Sequence, residues 1–465
     1  MHDLSKRVSS NQALSAIEDL FTADTYLVGG CVRDMLCGRE PQDVDIVTFR
    51  DVEAFADRIA QRFSSTVFWM DEKRGVLRIM LRKKGITIDV SSPKGIDITA
   101  DLKKRDITIN AMAYAVSGHE LIDPLGGLSD LDHGVIRIIS EESLKDDPAR
   151  VVRCLRFSVV LGFPVTASTM TALRKYAHKV STVSPERIKQ EFMKALCDTN
   201  GSRFFTLMET AGLIDAFFPD IVAGDKETAL KGIRSALLLA RETDGLIYSA
   251  KHLLPGSETA LSQEVEAGFS REGLLRLAAF LFGLILHMDS DDIAVQQEFN
   301  PEQGIRAARE LCSSLRFSSR AASFLHQMYG SLNLVHEIFK HKDLPVRQVH
   351  LLCEKASTCL GETLLLALAW KRSSCGFNKA LLDHAGLLER TQGIWRHFIA
   401  VYQAQKQTTL VDGNDVIKAL GISPGPMVAR MLLEVEAARA EGVVASKEQA
   451  IEHLQELALT DTDTS

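Results

Sequence analysis

The chain reads LVGGCVRD at residues 27–34 and DVDIV at residues 43–47. The first segment predicts a strand, a glycine turn and a helix start, and the second predicts another strand. Gly29 and Gly30 would let the backbone approach a triphosphate closely, and amides at the helix start would donate to its oxygens. Arg33 adds a cation at the same place. These residues together predict a site for a phosphorylated ligand.

Two carboxylates lie in the second segment. Asp43 and Asp45 are two residues apart, so on a strand both side chains point to one face and can share hard cations such as Mg²⁺. One such ion would lower the pKa of an attacking hydroxyl, and another would neutralise charge on a departing pyrophosphate. Aspartates two apart are also common at strand ends, where they only face solvent. The preceding glycine turn favours catalytic and metal-binding roles for Asp43 and Asp45.

The pattern GGxVRD followed by DxDI resembles the head motif of the DNA polymerase β-like nucleotidyltransferases. It is most similar to the family that unites class II tRNA nucleotidyltransferases, the CCA-adding enzymes, with bacterial poly(A) polymerases. The resemblance implies a template-independent enzyme that uses Mg²⁺ and transfers nucleotides from CTP and ATP to the 3′ end of tRNA. It also implies nucleotide contacts from Gly29, Gly30 and Arg33.

A second head motif follows at residues 104–111, which read KRDITINA. Taken alone, this basic run would be a solvated helix end. It resembles the family segment RRDFTINA, and that resemblance implies nucleotide contacts from Arg105, Asp106 and Asn110. Asp89, in the apolar run ITIDV, is a candidate third carboxylate, with a paired edge aspartate as an equal alternative.

Residues 145–157, KDDPARVVRCLRF, resemble the family pattern EDPxRxxRxxRF. Proline is tolerated near a helix start, so Asp147 is expected in the cap region, on one face with Arg150. A carboxylate accepts from the exocyclic amino group of cytosine or adenine, while an arginine donates to the neighbouring ring acceptor. The resemblance implies Asp147 and Arg150 as base readers and Arg153 as a supporting nucleotide contact. The alternative is an ion pair within the helix.

Three later segments carry weaker signals. Residues 185–192 resemble the closing neck motif, in which Arg187 is expected to be scaffold. Residues 276–287 lie where some relatives carry a metal-phosphohydrolase module, but they lack its His-Asp pair and predict an inert core helix. Residues 411–426 resemble tail segments whose glycine amides would hold an RNA phosphate, or are simply turns between helices.

The periodicity of the chain predicts an α+β fold with a small mixed β-sheet head and an elongated, all-helical remainder. Five β-rich runs lie between residues 26 and 90, a helix is expected at 51–63, and helical periodicity dominates beyond 137. The predicted domains are a nucleotidyltransferase head at 1–137, a base-recognition neck at 138–205, a body at 206–330 and a tRNA-binding tail at 331–465. No individual RNA-binding residue is predicted.

Composition sets broad limits. The eight cysteines form no CxxC pair and no zinc-type cluster, so we expect reduced thiols. Neither a signal peptide nor an apolar run of membrane-spanning length is apparent, and we expect a cytoplasmic protein without membrane association. A formal charge of −7 is compatible with one basic face for RNA. The sequence gives no information on oligomeric state.

Several activities remain open within this interpretation. Only residues 90–104 separate Asp89 from Arg105, which is shorter than expected for relatives whose flexible loop assists the switch to the final adenosine. This favours partial addition, of CC or of A, as an alternative to complete CCA. A poly(A) polymerase is less favoured, because the last residues are acidic rather than basic. Two further hypotheses are a catalytically inactive RNA-binding homologue and a nucleotidyltransferase that acts on a small substrate.

Overall fold

The structure is a computed structural model that describes residues 4–72, 75–82, 85–218, 226–286, 301–374 and 376–462. The chain forms two compact units. The first comprises residues 1–187 and 207–217, and the second comprises residues 188–206 and 218–465. The division into head, neck, body and tail stays a prediction, because it rests on motifs rather than on compactness.

The first unit contains the predicted mixed sheet. Its strands, among the described residues, are β1 (Thr25–Val28), β2 (Asp43–Thr48), β3 (Val67–Asp71), β4 (Val76–Leu81), β5 (Ile86–Ser91), β6 (Ala113–Ala115) and β7 (Glu120–Ile122). They are ordered β3-β4-β5-β2-β1-β6-β7. β2 and β5 run parallel, whereas the other neighbouring pairs are antiparallel. The predicted α+β class, with a mixed-sheet head and a mostly helical remainder, is confirmed.

The described chain up to residue 217 also forms short helices, and those after residue 187 belong in part to the second unit. They are α1 (Leu4–Ser10), α2 (Gln12–Ser15), α3 (Gly30–Leu36), α4 (Val52–Phe63), α5 (Ile98–Leu102), α6 (Gly127–Asp132), α7 (Glu141–Asp146), α8 (Ala149–Leu161), α9 (Ala167–Tyr176), α10 (Pro185–Leu196), α11 (Arg203–Thr210) and α12 (Ile214–Phe217). Helix α4 starts at the cap Asp51, whose side chain accepts from the Ala54 amide at 3.0 Å.

Helix α4 covers one face of the sheet. It buries Phe55 and Ile59 on the side where Leu77 and Ile79 are also buried. Because side chains alternate along a strand, the intervening residues of β4 point to the opposite face. That opposite face carries the carboxylates of β2, so one side of the sheet supplies the core and the other supplies the site.

From residue 226 onward, the described part of the second unit is helical apart from a short pair formed by β8 (Glu264–Glu266) and β9 (Phe269–Ser270). Its helices are α13 (Lys226–Leu253), α14 (Ser257–Leu261), α15 (Arg271–Ile285), α16 (Pro301–Ser314), α17 (Ser319–Lys340), α18 (Val346–Ala356), α19 (Leu360–Ser374), α20 (Gly376–His397), α21 (Gln403–Lys406), α22 (Gly413–Leu420), α23 (Pro426–Ala440) and α24 (Lys447–Thr462). Among the described helices, none combines the length and the apolar character that crossing a bilayer requires.

Two weaker predictions fall in this unit. Helix α15 is buried from Leu274 to Leu284 and is a core helix, as predicted, whereas His287 lies outside the described residues. At the start of α22, the Asp412 carboxylate accepts from the amides of Asn414 at 2.8 Å and Asp415 at 2.9 Å. A carboxylate therefore already satisfies those amides, and this segment fits a helix-connecting turn better than a phosphate site.

Candidate active site

The turn between β1 and α3 has the conformation that the glycine pair predicts. Gly29 has φ +74°, a value that side-chain-bearing residues rarely adopt, and α3 starts at Gly30. A Cβ atom on residue 29 would lie 2.9 Å from Nη1 of Arg105 and 3.4 Å from Oδ2 of Asp45. The Gly29 turn, the Arg105 guanidinium and the Asp45 carboxylate therefore lie next to one another.

The strand β2 presents Asp43 and Asp45 on the open face of the sheet. Asp45 is flanked by Val28 on β1 and by Asp89 on β5. Burial, together with the charges of Asp89 and Asp43, raises the pKa of Asp45 to about 6, although the nearby Arg105 opposes this shift. The carboxyl group of Asp45 is therefore harder to ionise in the free protein than that of a solvent-exposed aspartate.

Asp89 has a partner of its own. Arg78 donates from Nε to Oδ1 and from Nη2 to Oδ2 of this carboxylate, both at 2.7 Å. Of the two alternatives for Asp89, the structure contains the paired aspartate. Sequence reasoning missed Arg78, because it lies opposite Asp89 only through the register of β4 and β5.

Arg105 is held by a residue that the sequence analysis did not consider. Its Nε and Nη2 donate to Oδ2 of Asp101 at 3.1 and 3.0 Å. The other oxygen of the buried Asp101 accepts from the Lys94 amide at 2.8 Å. The spacing of four residues between Asp101 and Arg105 was a usable signal, since such residues are neighbours on a helical turn.

Four predicted nucleotide contacts join one hydrogen-bonded network. Arg33 donates from Nη1 to Asn110 Oδ1 at 2.6 Å and from Nε and Nη2 to Asp34 at 2.9 and 2.7 Å. Asn110 donates to Asp106 at 3.3 Å, and Arg153 on α8 donates to the other Asp106 oxygen at 2.5 Å. Burial would raise the pKa of Asp106, but Arg153 holds it well below the usual value. The network ties α3 and the 104–111 segment to α8.

The proposed base readers lie at the start of α8. Asp147 stands between α7 and α8, with Pro148 capping the second helix. Both Asp147 oxygens accept from Nη2 of Arg187, at 3.1 and 2.8 Å. Arg150 instead donates to the backbone carbonyls of Arg105 at 2.9 Å and Lys104 at 2.7 Å. Asp147 therefore pairs with a more distant arginine, which sequence reasoning assigned to the scaffold.

These features define a class of protein. A mixed sheet carries two aspartates two residues apart on one face, and a glycine turn with a neighbouring arginine faces them. Such an arrangement is chemically suited to a triphosphate and to hard cations. The first unit thus contains the sheet and site of a nucleotidyltransferase head.

Comparison with known proteins identifies the family. The Poly A polymerase head domain matches residues 25–137, and the "Probable RNA and SrmB- binding site of polymerase A" matches residues 162–224. The CC-adding tRNA nucleotidyltransferase of Geobacter sulfurreducens is 30% identical over 437 residues, which cover 94% of this chain and 92% of that protein. The A-adding tRNA nucleotidyltransferase of Deinococcus radiodurans is 27% identical over 451 residues, covering 92% and 94%.

A solved structure has the same fold. The Thermotoga maritima CCA-adding enzyme complexed with tRNA has a TM-score of 0.65 and 20% identity, with 97% of each chain covered. The chain belongs to the tRNA nucleotidyltransferase family.

Proposed function

We propose that this enzyme is a CC-adding tRNA nucleotidyltransferase, which transfers two cytidines from CTP to the 3′ end of tRNA. The connection between β5 and α5 is the observation that carries the choice of CC. β5 ends at Ser91 and α5 begins at Ile98, so only residues 92–97 join them. A flexible loop is the element expected to assist the switch to adenosine, and this connection is too short to supply one.

The connection is also held in place. The Lys94 amide donates to Asp101, Lys104 donates to the Lys94 carbonyl, and Asp97 accepts from the Ala100 amide at 2.7 Å. A Cβ on Gly95 would lie 2.5 Å from the Ala100 Cβ, so the chain packs closely there. Each of the two preceding strand connections, at 72–75 and 82–85, has four residues. Because this connection is short and held by hydrogen bonds, these observations support a head that does not switch its preference from CTP to ATP.

The carboxylate pair suits Mg²⁺. Asp43 and Asp45 offer hard oxygen ligands on one strand face. Burial, and after it the charges of Asp89 and Asp43, raise the pKa of Asp45, and a bound cation would offset these effects. Within the described residues, no cluster of three or more His, Cys, Asp or Glu side chains is suited to a metal. Phosphate oxygens and water would complete the coordination. Bound there, Mg²⁺ would supply activation of the primer hydroxyl and charge neutralisation on the phosphates.

The proposed reaction has one covalent exchange. The 3′ hydroxyl of the RNA loses its proton to solvent and its oxygen forms a bond to the α-phosphorus of CTP. The bond from that phosphorus to the bridging oxygen breaks, and pyrophosphate leaves. Gly29 and Gly30 allow the triphosphate to approach the backbone, and Arg105 places a positive charge beside it. Asp106, Asn110, Arg33 and Arg153 position these groups through their network.

Base selection would depend on Asp147 and Arg150. Asp147 retains acceptor capacity beside its bonds to Arg187, because an ionised carboxylate has about four lone-pair sites. It would accept from the cytosine amino group, while Arg150 donates to the neighbouring ring acceptor. Uracil would place a carbonyl against the carboxylate and be rejected.

The decisive test is extension of tRNA transcripts that end before CCA, after C, and after CC. Purified enzyme with Mg²⁺ receives CTP and ATP separately and together. We expect two cytidines on the first transcript, one on the second and none on the third, with Asp45→Asn as the inactive control. Complete CCA or adenosine on the third transcript would contradict the CC proposal. Long adenosine tails would indicate a poly(A) polymerase.

A further inference from the structure

Helix α13 of the second unit carries a straight row of exposed residues along its outer side. The exposed positions recur every three or four residues, as neighbours on one face of a helix do. They are Leu230, Arg234, Leu238, Arg241, Gly245 and Tyr248. The opposite side of the helix packs against α15 and α19 of the same unit. We call these six residues the α13 stripe.

The α13 stripe is positively charged. Arg234 and Arg241 lie seven residues apart, or about 10.5 Å along the helix at 1.5 Å per residue. Among the described residues, neither arginine has a carboxylate partner, and the nearby Asp244 pairs with the buried Arg276 instead. The whole chain has 61 acidic side chains against 54 Lys and Arg. Because these two arginines stay unpaired in an acidic protein, they leave a local positive charge that an anionic partner would complement.

A glycine interrupts the stripe between Arg241 and Tyr248. Glycine destabilises the interior of a helix relative to alanine, so Gly245 requires a reason in packing or in function. Packing within the described chain gives none, because a Cβ atom on residue 245 would meet nothing within 4 Å beyond its own helical backbone. The glycine therefore leaves a shallow notch on the outer surface, where the backbone of a partner can approach closely.

We propose that the α13 stripe binds the sugar–phosphate backbone of a duplex arm of tRNA. This inference rests on the proposed function, since that function requires the enzyme to hold an RNA of which only the 3′ end is unpaired. Arg234 and Arg241 would each donate to phosphate oxygens through the planar fork of the guanidinium. The hydroxyl of Tyr248, which is 84% exposed, would donate to a phosphate or a ribose. Duplex RNA is bound mainly through such backbone and shape contacts, and the notch at Gly245 admits the backbone between the two side chains.

Two other occupants fit the stripe less well. A second copy of the chain would place one row of arginines against the same row of its partner, with no exposed carboxylate on either described stripe to offset the repulsion. An acidic protein would pair with the arginines, but the proposed reaction involves no such protein, whereas it requires a polyanionic RNA. Leu230 and Leu238, which flank Arg234 and are 44% and 41% exposed, would contact the carbon atoms of the ribose rings.

The test measures the affinity of the full-length enzyme for a fluorescein-labelled tRNA transcript that ends before CCA, at increasing concentrations of KCl. Arg234→Gln and Arg241→Gln should each weaken binding by about tenfold or more, the loss of one charge-assisted hydrogen bond. Each should also reduce the slope of log affinity against log salt by about 1, because one phosphate contact fewer releases one counterion fewer.

The glycine gives an independent test of the same surface. Gly245→Gln should weaken tRNA binding, because its side chain fills the notch. It should not lower the free energy of unfolding in denaturant, since glutamine favours a helix more than glycine does. In steady-state kinetics, Arg241→Gln should raise the KM for tRNA and leave the KM for CTP unchanged, because the stripe binds RNA and not the incoming nucleotide.

Arg306→Gln is the matched control, because Arg306 is an exposed arginine of the same unit that pairs with Glu310. Its affinity and salt slope should equal those of the wild-type enzyme. An unchanged slope in Arg241→Gln, or an equal loss in Arg306→Gln, would overturn the α13 stripe as an RNA site. A dimer that dissociates in Gly245→Gln would also overturn it, because the stripe would then bind a second copy of the chain. If wild-type enzyme extends no transcript but its tRNA affinity depends on Arg241, the stripe stands and the proposed function fails.

Discussion

The Asp147 carboxylate is held by hydrogen bonds from Arg187, a residue 40 positions further along the chain. Burial alone would raise the pKa of Asp147, but the hydrogen bonds and charge of Arg187 hold it below the usual value. The carboxylate therefore stays ionised and can only accept hydrogen bonds, as reading an amino group requires. Asp147 and Arg150 were recognisable from their motif, whereas a partner 40 residues away leaves no periodic signal in a sequence.

Because Arg187 holds Asp147, replacing either residue should weaken base selection, and replacing Asp147 should weaken it more. Asp147→Ala should lower the preference for CTP over UTP by about 5- to 150-fold, because the cytosine amino group loses an acceptor worth about 1–3 kcal/mol. Arg187→Ala should lower it less, since the carboxylate remains but loses its orientation. The measurement is kcat/KM for each nucleotide on a tRNA that ends before CCA.

Lys145→Ala provides the control for these two variants, because Lys145 pairs with the exposed Glu142 near the same helix end. The preference of Lys145→Ala for CTP over UTP should equal that of the wild-type enzyme. An unchanged preference in Asp147→Ala would show that the base is read elsewhere.

Helix α5 and the residues before it act as one element. Asp101 connects them, since one of its oxygens holds the Lys94 amide and the other holds Arg105. The β5–α5 connection and the triphosphate-facing cation thus share a single buried carboxylate. This sharing explains how a five-residue helix can fix both.

Asp101→Ala should therefore weaken both folding and nucleotide binding. It leaves the partly buried Lys94 amide and the Arg105 guanidinium without this acceptor, which costs up to about 1–3 kcal/mol for each group, and it frees Arg105 from its position. Denaturant unfolding should show the lower stability, and steady-state kinetics should show a higher KM for CTP.

Asp97→Ala is the matched control, because it removes the α5 cap, worth about 1 kcal/mol, and leaves Asp101 in place. It should reduce stability without raising the KM for CTP. Equal KM increases in both variants would mean that the helix as a whole, rather than the Asp101–Arg105 pair, sets nucleotide affinity.

The elements of the sheet differed in how well the sequence predicted them. The five β-rich runs expected between residues 26 and 90 correspond to β1–β5, and α4 begins one residue after its predicted start, because each has a clear apolar period. β6 and β7 were missed, since three residues each are too few to show alternation. The register that brings Phe68, Arg78 and Asp89 into one row was likewise inaccessible, because it depends on how separate strands pair.

At the scale of the whole molecule, the motifs and the compact units divide the chain differently. Motif positions predicted four consecutive domains, whereas residues 207–217 group with the first unit and residues 188–206 with the second. Such an exchange of short segments arises from long-range packing, which local periodicity does not encode. The helical second unit has few motifs, so its stability must be read from its buried contacts.

The buried contacts of Arg276 give the clearest test of what stabilises the second unit. Its side chain is 2% exposed, and it pairs with Asp244 and donates to the Leu196 carbonyl at 2.7 Å. Arg276→Ala should destabilise the protein by about 3–5 kcal/mol, because it removes the buried guanidinium that pairs with Asp244 and leaves the buried Leu196 carbonyl without this donor. Arg306→Ala removes an arginine that is 81% exposed and pairs with Glu310, and it should cost less than about 0.5 kcal/mol. Denaturant unfolding of both variants measures the difference. If both variants lose a similarly small free energy of unfolding, the polar contacts of Arg276 contribute little. The stability of the second unit would then come from apolar packing.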